Sequence, residues 1–328
     1  MLSNVVAHAS QFEMHVASLI ASETDRMMPY FRTAKLPIHF LSYSSDFYAP
    51  EILPNLRKLI TVNQYDAVHC WLFQAIVQGV MICRSLKIPC IADPQIMRNI
   101  LSFGMHRKWE QFLIGETLRN SDVVLFNSTS AALDFLEAGV ANPGSVRVVR
   151  SGVDCDHFTP FLNEGDALVC IGRLAAEKGY YDLRSVLLEL HTQFPQLKCL
   201  AAGTGERPKL DPIEFVGHVD DVRSFLSKGC IYITTSHAEG LSNALLEAQA
   251  CGLPAIARRI GPNAEVIEHG KTGFLCKTNE EFVKAVRALF TNPELRRTMG
   301  NNARARMESR FSITSRAQEF ESLYSELL

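Results

Sequence analysis

The feature that most constrains this chain is an alternation that runs through most of its length. Short runs of β-branched and other apolar residues are separated by longer stretches with helical spacing. Residues 37–43, 67–72, 89–92, 123–127 and 146–149 read as strands in the first half. Residues 167–172, 197–203, 213–216, 230–235 and 253–257 do so in the second, with 274–276 as a short extra. Consecutive parallel strands need crossover connections of about a dozen or more residues, usually helical. The pattern therefore predicts an α/β chain with parallel sheets. Residues 280–290, 293–310 and 315–328 read as closing helices, structural in role. The start departs from this order. A short apolar stretch at 2–9 precedes a helical pattern over 12–21, so either 4–7 form a short first strand or the first strand and its glycine turn are missing.

At 328 residues the chain exceeds what one core usually covers. Two domains are expected, and the aperiodic stretch 151–163, with its Gly, Asp, His, Pro and Asn, reads as their linker. The boundary falls near Asp156: residues 1–155, then 156–310, with 311–328 as a helix packing back on the first domain. A composition 47% hydrophobic and 21% charged excludes a mostly disordered chain. Lys and Arg number 33 against 35 Asp and Glu, which argues against nucleic acid as a partner. Nine cysteines form no Cys-x-x-Cys pair, which fits a reducing cytoplasm better than a disulfide scaffold. Apolar stretches such as 75–83 fall short of the ~20 residues of a membrane span. Peripheral membrane contact stays open through Arg98, His106, Arg107, Lys108 and Trp109, although a solvated helix face is the plainer reading.

The chemistry is concentrated in residues 231–257, IYITTSHAEGLSNALLEAQACGLPAIA. A β-branched strand leads through Glu239 and Gly240 into a helix, and ligands of open parallel sheets sit outside the carboxyl ends of strands. Backbone amides at Leu241, Ser242 and Asn243 would face an anion at the positive end of the helix dipole, which makes a phosphate seat. Glu239 and Glu247 are eight residues apart, roughly 12 Å along a helix axis, so they cannot share one proton. Each would instead accept from sugar hydroxyls on either side of a diphosphate. The plainer alternative makes Glu239 a dipole partner and Glu247 a solvated helix residue. In 167–179, ALVCIGRLAAEKG, a strand ends at Gly172, and Arg173 and Lys178 follow on the same edge as cations for a diphosphate. A third turn, Gly203-Thr204-Gly205, allows close backbone approach there. The ten histidines show no zinc-ligand spacing.

Together these segments resemble the retaining glycosyltransferases of the GT-B fold, the large group 1 family. The likeness is carried by SGVDCDHFTP (151–160), IGRLAAEKG (171–179), AGTGE (202–206), FVGHV (215–219), the Glu-x7-Glu segment and GKTGFL (270–275), over essentially all of 121–328. It implies two Rossmann-like parallel-sheet domains facing a cleft, with a shortened N-terminal acceptor-side domain and a C-terminal donor domain. It also implies transfer of a sugar, with retention, from a UDP- or GDP-sugar to a hydroxyl of a glycan, lipid-linked or small-molecule acceptor. By similarity, Arg173 and Lys178 hold the diphosphate, Gly240 to Ser242 cap its distal phosphate, Glu239 meets the donor sugar and Glu247 the ribose, beside Gly172, Gly203 and Gly205. No cofactor is implied, the nucleotide sugar being a substrate. No metal is implied either, so Asp154-Cys155-Asp156 reads as a linker turn rather than an Asp-x-Asp metal motif. YDAVHCW (65–71) is similar to the family's Asp-x-x-His strand, so His69 either faces the cleft or is a structural strand-end histidine. SDVVLFNSTSAALDFLEAG (121–139) also matches, whereas IADPQIMRN (91–99) lacks the family's histidine, with Asp93 or Arg98 near its place. A non-catalytic nucleotide-sugar-binding subunit with a degenerate acceptor domain is the alternative, and an epimerase or phosphorylase on a related fold a third.

Overall fold

The computed structural model describes residues 11–20, 35–44, 46–95, 108–162 and 165–328, without the side chains of 108–111. The expectations for 4–7, Arg98, His106 and Arg107, and for the side chains of Lys108 and Trp109, lie outside the described residues. The chain divides into two units, residues 1–150 with 313–328 and residues 151–312. The division falls a few residues before the 155/156 boundary expected from the sequence.

In the first unit, β1 (Val16–Ser18) and β2 (Ile38–Phe40) form a parallel pair. Strands β3 (Val68–Trp71), β4 (Cys90–Asp93), β5 (Val123–Phe126) and β6 (Val146–Val148) form a four-stranded parallel sheet in that order. Between them run α1 (Ile52–Asn63), α2 (Phe73–Leu86), α3 (Lys108–Arg119) and α4 (Thr129–Glu137). One face of the sheet buries Cys90, Val124 and Phe126 with Ile76 and Val80 of α2 and Phe135 of α4. The other buries Ile91, Leu125 and Val149 against Phe320, Leu323 and Tyr324 of the C-terminal helix, Ile313–Leu327. Both faces being covered is why these strands read as continuous apolar runs. Ser128 caps α4 by accepting from Ala131 N at 3.1 Å.

The helix expected over 12–21 is not formed, since Val16–Ser18 is a strand. Its backbone is committed to β2: Val16 N donates to Pro37 O and Leu41 N to Ser18 O, both at 2.9 Å. Over so short a segment apolar spacing does not separate helix from strand, and tertiary pairing overrides local preference.

The second unit carries a six-stranded parallel sheet in the order β12-β11-β10-β7-β8-β9. Its strands are β7 (Ala167–Ile171), β8 (Lys198–Ala202), β9 (Ile213–Gly217), β10 (Gly229–Thr234), β11 (Ala255–Arg258) and β12 (Gly273–Cys276). The helices are α5 (Tyr180–His191), α6 (Val222–Leu226), α7 (Asn243–Ala250), α8 (Gly261–Val266), α9 (Asn279–Phe290) and α10 (Pro293–Arg310). Leu183, Val186 and Leu190 of α5 pack with Phe282, Val286 and Leu289 of α9 on one face of the sheet. Phe225, Leu245, Leu246 and Met307 cover the other. The expected linker is pinned to this unit: Val153 N donates to Phe311 O at 2.8 Å, and Arg304 donates to the carbonyls of Cys155, Phe158 and Ala250. The fold class is thus α/β, two Rossmann-like units built on parallel sheets.

Candidate functional site

Topology selects the place in the second unit. The chain runs outward from β7 through β8 to β9, returns, and runs the other way from β10 through β11 to β12. The order reverses between β7 and β10, and a doubly wound sheet opens a crevice at the carboxyl ends of the strands at such a switch point. The segments that follow β7 and β10 are those the sequence reading selected, 172–179 and 235–242.

Glycines bring these loops into backbone contact. Gly179 has φ +68°, and a Cβ there would lie 2.4 Å from Thr235 O. A Cβ on Gly203 would lie 1.7 Å from Gly172 O, so the turn after β8 rests on the end of β7. Gly172 N donates to Ala202 O (3.0 Å), Leu174 N to Thr204 O (2.8 Å) and Gly203 N to Gly217 O (2.7 Å). A Cβ on Gly205 would meet Leu174 O at 2.9 Å. Three turns are thereby held side by side at one edge of the sheet.

Across the switch point Lys178 Nζ stands 2.6 Å from Glu239 Oε1, with side chains only 17% and 11% exposed. Lys178 ends a short 3₁₀ turn, Ala176–Lys178, and Glu239 lies in the loop between β10 and α7. Arg173 is placed differently. Its side chain is 66% exposed and donates to Glu177 Oε1 at 2.8 Å, an i,i+4 pair whose carboxylate side chain is only 10% exposed. The structure therefore joins Lys178 to Glu239 and leaves Arg173 on the rim of the same connection.

Gly240 leads to Leu241, whose side chain is buried in the core, and to Ser242, which caps α7 by accepting from Leu245 N at 3.4 Å. The amides of residues 241–244 donate to no acceptor among the described residues. Glu247 sits just past the first turn of α7, half-buried rather than fully solvated, and burial pushes its carboxyl up to about 7. Tyr180 Oη donates to Gly172 O at 3.1 Å and fixes the end of β7 from below.

His69 belongs to the first unit. Its Nδ1 lies 2.9 Å from Tyr324 Oη, its Nε2 3.4 Å from Asp93 Oδ2, and its ring stacks on Trp71 at 4.5 Å. Asp93 is fully buried; burial pushes its carboxyl up while His69 and Gln95 pull it back. Of the two roles left open for His69, this internal network supports the structural one. Asp154 is a turn former: its Oδ1 accepts from the amides of Asp156 (2.9 Å) and His157 (3.0 Å). Among the described residues no group of three or more His, Cys, Asp or Glu is arranged to hold a metal ion.

The sequence reading missed four residues that buttress the pair: Asp182, Thr235, His237 and Arg258. Arg258 N ε donates to Thr235 O at 2.9 Å and its guanidinium contacts Asp182, whose Oδ2 lies 3.1 Å from His237 Nε2. Arg258, directly after the apolar run 253–257, was the available signal, since it marks a cation at a strand's carboxyl end.

Residues 157–306 match the family described as glycosyl transferases group 1, and residues 7–157 match Glycosyltransferase Family 4. An uncharacterized glycosyltransferase of Haemophilus influenzae is 31% identical over 44% of this chain and 45% of its own length. The Escherichia coli UDP-Gal:alpha-D-GlcNAc-diphosphoundecaprenol alpha-1,3-galactosyltransferase is 22% identical over 84% of this chain and 79% of its own. Against three of the curated relatives the chain spans 32 to 49% of their length. Among solved structures, Anabaena Alr3699/HepE in complex with UDP and glucose superposes with a TM-score of 0.83 at 19% identity, covering 99% of this chain and 95% of that one. With two family matches that together run from residue 7 to 306 and a fold shared with GT-B enzymes, the chain belongs to the group 1 glycosyltransferases.

Proposed function

We propose that the protein transfers a sugar from a nucleoside-diphosphate donor, a UDP- or GDP-sugar, to a hydroxyl acceptor, with retention of anomeric configuration and without a metal ion. The observation that carries this reading is the nearly buried Lys178–Glu239 pair at the switch point, next to the unengaged amides that open α7. Lys178 and those amides receive the diphosphate, and Arg173, the exposed member of its pair with Glu177, joins by turning from that carboxylate. Glu239 accepts from hydroxyls of the donor sugar, and Glu247 from those of the ribose. When the bond between C1 of the sugar and the phosphate oxygen breaks, its electron pair stays on the diphosphate. Fixed donors aimed at that growing charge lower the barrier, and removing one typically costs on the order of 10² to 10³ in rate. No enzyme nucleophile is assigned.

Two similar proteins support the substrate class: HepE is solved with UDP and glucose, and the E. coli relative is named for a diphosphoundecaprenol-linked sugar. A glycan or lipid-linked acceptor fits both. No helix of the described residues is long and apolar enough to cross a membrane. All nine cysteines are free thiols, which fits a reducing compartment such as the cytoplasm. A panel of UDP- and GDP-sugars, assayed for transfer and for slow donor hydrolysis with and without EDTA, tests the proposal. Turnover that survives EDTA and falls ~100-fold or more in Lys178→Met and Glu239→Ala is expected. Binding without turnover of any donor would sink the catalytic reading, and activity abolished by EDTA the metal-free one.

A further inference from the structure

Behind the Lys178–Glu239 pair, a second set of polar residues ties the two loops together, and none of them needs to touch a ligand. Thr235, buried, donates from Oγ1 to Gly179 O at 2.9 Å and lies 3.3 Å from Lys178 O. His237 N donates to Glu177 O at 2.8 Å. The backbone of 177–179 is therefore tied to residues 235 and 237, on the segment that leads to Glu239.

Arg258 holds this seam from the far side. Its side chain, 14% exposed, donates from Nε to Thr235 O at 2.9 Å, from Nη1 to Lys277 O at 3.4 Å and from Nη2 to the Asp182 carboxylate. The guanidinium also lies over the Phe282 ring, 5.6 Å from its centroid. Asp182, in the first turn of α5, shares the same Oδ2 with His237 at 3.1 Å. A planar fork that serves three divergent acceptors is a task for arginine; a lysine ammonium is a point charge that cannot span them.

We propose that Thr235 and Arg258, the latter through Asp182 and His237, are positioning residues that set the spacing between the Lys178 ammonium and the Glu239 carboxylate. The diphosphate then meets a cation already in place. The inference rests on the proposed diphosphate-binding role of Lys178. Its physical basis is the sensitivity of such sites to placement, where a displacement of about 1 Å can cost on the order of 10²-fold.

The test is a double-mutant cycle on the full chain, read by calorimetry with UDP and GDP as probes. Thr235→Val is expected to weaken binding of the tighter-binding nucleotide ~10-fold, while Thr235→Ser, which keeps the hydroxyl, stays within ~2-fold of wild type. In a Lys178→Met background, Thr235→Val should change affinity by less than ~2-fold, because the group it positions is gone. Equal losses in both backgrounds would mean that Thr235 is merely structural and would overturn the inference. Should Thr235→Val fail to fold, Arg258→Lys replaces it in the same cycle with the same expectation. If the wild type binds neither UDP nor GDP, the proposed function itself falls and takes this inference with it. Additive effects in a binding-competent protein overturn the inference alone.

Discussion

Glu247 gives the sharpest test of the donor site because its protonation is displaced into the working range. Burial raises its carboxyl from 4.5 to about 7, so at pH 6 roughly one carboxyl in ten is ionised and at pH 8 about nine in ten. If Glu247 accepts from both ribose hydroxyls, binding requires the carboxylate, because the protonated acid has one fewer acceptor and adds a competing donor. The dissociation constant of a nucleotide sugar should then be ~10-fold larger at pH 6 than at pH 8. A nucleotide sugar is the right probe because its diphosphate is esterified at both ends and does not itself titrate near neutrality. Glu247→Gln should show the weaker affinity at every pH and no slope. Calorimetry at pH 6, 7 and 8 reads both. A flat wild-type profile together with a Gln variant that binds as tightly as wild type would refute the ribose assignment. Stability depends on pH with the opposite sign to affinity. The folded chain holds a proton that the unfolded chain has released, so Glu247 makes stability fall as the pH rises from about 4.5 through about 7.

Gly203→Ala places a methyl group 1.7 Å from Gly172 O, so the ends of β7 and β8 must part. A loss of ~2–4 kcal/mol in urea unfolding is expected, and an unchanged midpoint would show that the turn gives way freely. Gly179→Ala combines an unfavourable φ of +68° with a 2.4 Å clash on Thr235 O. It should therefore lower both the thermal midpoint and nucleotide affinity, and loss of stability with unaltered affinity would contradict the coupling of this turn to the site. Ser128→Ala removes the cap on the Ala131 amide in a buried position and should cost ~1 kcal/mol without affecting nucleotide binding. A change in binding would show that the first unit is energetically linked to the donor site.

How much the sequence disclosed tracks how completely each segment is buried. Strands β7 and β10 lie in the middle of a covered sheet, so nearly every residue from 167 to 171 and from 229 to 234 is apolar and each run identifies itself. Residues 16–18 are only partly buried and, among the described residues, pair with β2 alone, so their spacing passed for a helix. The same contrast holds in the site. Gly172, Lys178 and Glu239 follow long apolar strands and are what a phosphate seat requires, hence their legibility. Arg173 was paired with Lys178 by proximity in sequence, yet Glu177, four residues on, was the competing partner that residue numbers already offered. Thr235, Asp182 and Arg258 form no motif, because their role depends on three strands and a helix meeting in space.

On the proposed function, the Lys178–Glu239 pair also fixes which way a donor lies. An ion pair with both side chains nearly out of water contributes little net stability, because desolvation offsets most of the attraction. Its value on the proposed reading is that it holds the Lys178 side chain in place, largely out of water, before any ligand arrives. The same carboxylate would repel an incoming phosphate: at 4 Å and an effective dielectric near 20, one like-charge contact costs about 4 kcal/mol. On the proposed reading the diphosphate is therefore driven to the Lys178 side of the pair and to the positive end of the α7 dipole. Glu239 is left for groups that donate, which on a nucleotide sugar are the hydroxyls. On this proposal a site with Lys178 alone would accept the donor in either direction, whereas the pair would admit it in one.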